Sequence, residues 1–249
     1  MSESVFEAFE IHRIGEPLFT LAGHPIAFTT SALFMFLSIL GCTMFMVLAM
    51  RPQAVIPGRW QMAAEKIYDL VTGLLESGAG EKAKPFFPFI FTIFGFILFC
   101  NLFGMLPGSV SVTSHVIVNL SIALILFAVI IVTGFVRHGP HFLTLFVPSG
   151  IPWFVMPVMA FIELFSFSVR PFSLSVRLFG NMLAGHLLLH VFAGLAVTLL
   201  TAGWLAGLSV LPIFADVIII AFEFFVAFLQ AYIYAVLASV YLHDALEMH

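Results

Sequence analysis

Five ionisable side chains stand where ionisable side chains are costly. Glu163, Arg170, Arg177, Asp216 and Glu223 lie inside two long apolar tracts, 151–205 and 211–242. A charge at mid-membrane costs at least about 2.5–3.5 kcal/mol on insertion scales, so such residues mark ion or proton paths by default. Near the end of a tract the same residue can reach into the headgroup zone instead, and Asp216, just past Pro212, is open to both readings. Arg177 has long apolar sequence on its C-terminal side, which argues against that escape.

Helical spacing organises these residues. At about 100° per residue, with Arg177 at zero, Arg170 falls near 20°, Glu163 and Asn181 near 40°, Ser166 near −20° and Ser173 near −40°. The six polar groups then share one stripe about 80° wide. Such a stripe can hydrate and guide a proton; the bland alternative is polar glue between helices, which rarely needs two arginines. In the second tract Asp216, Glu223 and Gln230 recur every seven residues, and Tyr234 follows one turn later. Heptad spacing suits closely packed helices, so two long helices are predicted side by side, with Pro157 and Pro171 interrupting the first and Pro171 offsetting its two halves. His186 falls about 180° from Arg177 and faces a different neighbour. His190, one turn on, reads as an ordinary packed histidine. Gly180, Ala184 and Gly185 are small enough to let a neighbouring helix pass close by.

The elements that carry these residues are membrane helices. Of 249 residues, 62% are hydrophobic and 9% charged, with a mean hydropathy of +1.16. A soluble domain carries about 25% charge, so a water-soluble fold is excluded. No basic cluster exists for nucleic acid. A span needs about 20 apolar residues, which gives an all-α integral membrane protein of five to six membrane helices. It is read as a single membrane domain: a tail (1–24), a first span (25–50), hairpin spans (86–106 and 116–136), and two long tilted polar-striped helices (151–205 and 211–245). Between the first two spans, 59–77 places Trp60, Ala63, Ile67, Leu70, Val71, Leu74 and Leu75 on one helical face, the pattern of an interfacial amphipathic helix. The tail lacks the basic start and short apolar core of a signal peptide, so the first apolar run is expected to remain as a span. Arg51, Arg59, Lys66, Lys82 and Lys84 cluster in one loop and Arg137 opens another, which orients the tail outward and the C-terminus toward the cytoplasm. Cys42 and Cys100 sit in apolar runs and read as packing residues.

The segments KPFFPF from Lys84, NLFGMLPG from Asn101, PFSLSVRLFGNMLAGH from Pro171 and QAYIYAVLASVYL from Gln230 resemble the subunit a family of F-type ATP synthases, from about residue 30 onward. The resemblance implies a non-catalytic proton-channel stator in a bacterial plasma (inner) membrane. Its implied partners are a ring of c subunits, peripheral-stalk b-type subunits and the rest of the synthase. Arg177 matches the family's essential arginine and would face the ring carboxylates. Asn181, His186, Glu223 and Gln230 would line an outer half-channel; Glu163, Ser166, Arg170 and Ser173 would line an inner one. One departure stands out. The family commonly places an acid at the His186 position and a histidine at the Glu223 position, so the two are exchanged here. An exchange that keeps one acid and one imidazole suggests that they lie in contact and relay a proton near neutral pH, where histidine titrates.

Two other classes compete. A standalone channel or secondary transporter would also bury charges, but the sequence shows no inverted repeat. An intramembrane enzyme could use His186, His190 and Glu223, since two histidines four apart can hold a metal; the acid that follows the first histidine in that motif is missing. No metal or cofactor is therefore expected, and no oxygen-ligand cage favours sodium over protons.

Overall fold

Glycines with positive φ, Gly80, Gly139 and Gly203, follow three of the helices of this chain. The computed structural model describes residues 19–21, 24–51, 57–106, 109–146 and 154–246. The helices are α1 (Thr30–Ala49), α2 (Arg59–Ala79), α3 (Phe87–Gly104), α4 (Val116–His138), α5 (Met156–Thr201) and α6 (Val210–Leu246). Short 3-10 turns (Glu81–Phe86, Val112–Ser114, Gly139–Phe146 and Gly203–Ser209) fill connections between them. Gly80 ends α2 at φ 70°, where its N–H donates to the Glu76 carbonyl. Gly203 opens the α5–α6 turn at φ 66°. Other residues adopt that region only with strain. Residues 1–18 of the tail and the start of the tract at 151 lie outside the described residues.

Among the described residues, five segments are long and apolar enough to cross a membrane: Thr30–Ala49, Glu81–Gly104, Val116–Thr144, Met156–Thr201 and Ala206–Leu246. The all-α reading holds, with one addition. Phe19–Leu21 (β1) pairs antiparallel with His24–Ile26 (β2), Phe19 opposite Ile26.

The expected interruption of the first long tract is absent. α5 runs unbroken for 46 residues, a length of about 69 Å at 1.5 Å per residue. Pro157 sits in the first turn, where a missing N–H removes no helical bond. Pro171 lies mid-helix and is buried. Membrane helices tolerate such a proline because packing and nearby hydroxyls compensate for the lost bond.

The chain divides into two compact units, and both long helices contribute to each. The first unit holds residues 1–45, 96–115 and 178–230. In it, the Phe103 ring fills the space beside Gly41, and the Phe45 and Phe99 rings lie 5.9 Å apart. Cys42 and Cys100 sit here as free thiols. The second unit holds residues 46–95, 116–177 and 231–249. In it, Phe127 contacts Phe167 at 5.4 Å and Tyr241 at 5.3 Å. Ser175 donates to the Val116 carbonyl at 3.2 Å.

Helix α2 belongs to the second unit and buries Ala64, Val71, Leu75 and Ala79. The buried face therefore includes Val71 and Leu75 as expected but leaves Trp60 exposed. Small residues decide the rotation. A β-carbon added at Gly78 would stand 2.9 Å from the Ser239 β-carbon and 3.6 Å from its carbonyl carbon. Gly78→Val should therefore destabilise the assembled protein by about 1–3 kcal/mol, read as a lower thermal midpoint in detergent. Gly73 has nothing within 4 Å of an added β-carbon, so Gly73→Ala should leave that midpoint unchanged or raise it.

Candidate functional site

In the second unit, the polar stripe of α5 meets the last turns of α6 around a cavity of about 310 Å³. Ser166, Arg170, Ser173, Arg177, Leu174, Leu237 and Tyr241 line it, with Val169. Helical periodicity brings these groups together: the α5 polar residues recur every three to four positions, so each turn adds one to the same wall. The two arginines in that wall differ. Arg170 is half-buried and its Nη2 lies 3.5 Å from Glu163 Oε1. Its guanidinium carbon sits 4.9 Å from the Tyr241 ring centre and 5.5 Å from that of Phe167. Arg177 is exposed and forms no ion pair or hydrogen bond among the described residues. A guanidinium always carries its charge and offers five donors, so Arg177 presents a fixed cation on the cavity wall. Ser166 and Ser173 are exposed beside it. Tyr234, also in this unit, is fully buried, and its hydroxyl has no hydrogen-bond partner among the described residues.

The first unit holds the second group. Glu223 is 5% exposed and Gln230 2%. Both Glu223 oxygens and the Gln230 carbonyl oxygen are buried without hydrogen bonds among the described residues. The Glu223 carboxyl occupies the notch left by Gly185: an added β-carbon there would stand 2.7 Å from Cδ and collide with Oε1. Gly185 immediately precedes His186, so the acid lies against the helix turn that carries the histidine. His190 Nδ1 lies 2.8 Å from the His186 carbonyl. A carbonyl only accepts, so the histidine Nδ1 is the donor in this contact. Asp216 is half-buried with one carboxyl oxygen shielded, and Asn181 is exposed. Among the described residues no group of three or more His, Cys, Asp or Glu could hold a metal.

Three features escape sequence reasoning. Asn101 is fully buried on α3, and its Nδ2 donates to the Ala227 carbonyl at 3.2 Å. Ala227 lies one turn from both Glu223 and Gln230, so Asn101 joins their neighbourhood. An asparagine near the end of an apolar run is the signal that marks it. Nothing in the sequence singles out Tyr241, since an aromatic in an apolar tract usually packs. Gly185 reads as a contact for a neighbouring subunit, whereas the chain's own Glu223 fills its space. Gly180 keeps that role open, with nothing within 4 Å of an added β-carbon.

A buried carboxyl, an amide and a surface guanidinium on apolar helices suit ion movement, since buried polar groups without partners are costly. The family model for the ATP synthase A chain matches residues 31–243. A protein of Parvibaculum lavamentivorans, "ATP synthase subunit a", is 46% identical over 237 residues, covering 93% of this chain and 90% of the relative. The Pelagibacter ubique protein of the same name is 42% identical over 250 residues, covering both chains fully. That of a Methylobacterium strain is 47% identical over 226 residues, 90% of each. The chain belongs to the ATP synthase A chain family.

Proposed function

We propose that this multi-pass membrane component of an ATP synthase carries protons through two separate half-channels and exchanges them with carboxylates on a rotating ring. One observation carries the reading: Arg177 presents a permanent cation on a cavity wall, with no anionic partner among the described residues of its own chain. On this reading its partner is a carboxylate of another subunit. An opposite charge within about 4–6 Å favours the ionised form of a carboxyl group. Arg177 would therefore hold a passing ring carboxylate deprotonated, and would block direct leakage between the half-channels.

Glu163, Ser166, Arg170 and Ser173 would line the inner leg. Asn181, His186, Glu223, Gln230 and Asp216 would line the outer one, with Asn101 beside Glu223 and Gln230. Tyr234 would lie between the two sets along α6. His186 and Glu223 would relay the proton, which the seat of the Glu223 carboxyl on Gly185 supports. Proton flow would turn the ring and drive ATP synthesis in the soluble head, so this chain would carry no ATP chemistry itself. Basic loops support a cytoplasmic C-terminus and an outer N-terminus in a bacterial plasma membrane. The peripheral-stalk b-type subunits would hold the chain still, and α2 would lie at the membrane interface.

Arg177→Ala tests the reading in the complex reconstituted into vesicles. ATP-driven proton pumping should vanish while the complex assembles and the head still hydrolyses ATP. Coupled pumping by the variant would sink the proposal. Gly185→Ala should push the Glu223 carboxyl from its seat at a packing cost of about 1–3 kcal/mol and slow proton flux in the same vesicles. For the relay, His186→Glu combined with Glu223→His should pump faster than the worse single variant; no gain would separate the two residues.

A further inference from the structure

Tyr241 has no role in the proton path described above, yet it touches the residue next to that path's centre. Glu163 and Arg170 are seven residues apart, about 10.5 Å along the helix axis. Their closest approach is 3.5 Å, longer than the roughly 2.7–2.9 Å of a strong charge-assisted bond. That contact alone does not fix a flexible guanidinium. Aromatic rings supply the rest, because a ring face attracts a cation. Tyr241 lies 4.9 Å from the guanidinium carbon and Phe167 5.5 Å. Phe127 contacts both rings, at 5.3 and 5.4 Å, so three aromatics form one frame around Arg170.

The frame matters because two guanidiniums line a single cavity. An Arg170 released toward Arg177 would compete for the same anion and add like-charge repulsion. We propose that Tyr241 is a positioning residue for proton transfer: its ring holds Arg170 against Glu163, so that Arg177 alone meets the carboxylate that passes. The inference rests on the proton-path reading of the Arg177 cavity.

The test uses the complete complex in vesicles, with initial ATP-driven pumping and ATP hydrolysis recorded together. Tyr241→Leu should slow pumping about five-fold, the scale of a partly desolvated cation–π contact. Tyr241→Phe, which keeps the ring, should restore most of the rate. Arg170→Gln should slow pumping itself, and adding Tyr241→Leu to it should change the rate by less than about two-fold, the limit of ordinary additivity. An equal loss in both backgrounds would reduce Tyr241 to a packing residue and overturn the proposal, as would a Tyr241→Phe variant as slow as Tyr241→Leu. If Tyr241→Leu fails to assemble, Tyr241→pentafluorophenylalanine decides. It keeps the ring but reverses the charge of its face, so a similar loss supports the proposal and a normal rate overturns it. Arg177→Ala separates the two levels. Pumping by that variant sinks the proton-path reading itself, whereas its loss together with an insensitive Tyr241 sinks only this inference.

Discussion

A guanidinium cannot shed its charge, and that fact governs the arrangement around Arg177. A carboxylic acid or an imidazole can enter an apolar region in its neutral form. Arginine has no such form, so it must be paired, hydrated or held at a surface. The chain treats its two tract arginines in opposite ways. Arg170 receives Glu163 and two aromatic rings. Arg177, two turns away on the same helix, receives neither an ion pair nor a hydrogen bond among the described residues. The asymmetry is informative because one stripe of the same helix carries both positions. Structural economy alone would pair both or neither.

The Glu223 group follows a different logic, because a carboxyl can enter an apolar region in its neutral form. Its carboxyl needs room and a nearby acceptor or donor, and it does not need a permanent counter-charge. Gly185 supplies the room by lacking a β-carbon. Ala227 of α6, in the same unit, is buried, and a side chain that small allows close helix approach. Asn101 ties its amide to the Ala227 carbonyl and leaves its own carbonyl oxygen without a partner among the described residues. Buried polar atoms left open in this way are unusual in a purely structural core.

The helical course of the chain was legible because apolar length and helical period report directly on membrane spans. Thr30–Ala49, Val116–His138 and Val210–Leu246 fall within a few residues of the runs read from composition. Pro171 misled because its rule is calibrated on helices in water, where a lost backbone bond is exposed to competition; inside an apolar helix the chain has no better alternative. The stripe through Glu163, Arg170 and Arg177 was also legible, since one period governs all three. Contacts between distant segments were not. Nothing local to Gly185 announces a carboxyl from a residue 38 positions later, and nothing local to Tyr241 announces a cation. The β1–β2 ribbon escaped for another reason: three-residue strands carry too little pattern to separate from a loop.

Lipid itself argues for a protein partner on α5. Phe161, Phe165 and Phe172 are 70, 63 and 56% exposed, which suits hydrocarbon. Ser166, Ser173, Arg177 and Asn181 are exposed on the adjoining stripe, which does not. A helix that faced lipid around this whole arc would hold a guanidinium and an amide in hydrocarbon, at a cost of at least about 2.5–3.5 kcal/mol for the charge alone. Rotating the helix removes no cost, because Leu174, Leu178 and Met182, on the flank of the stripe away from the phenylalanines, are already buried. A cover suited to this arc brings both apolar surface for the phenylalanines and acceptors for the arginine. A neighbouring helix with one carboxylate in an otherwise apolar face meets both demands, and a lipid tail meets only the first.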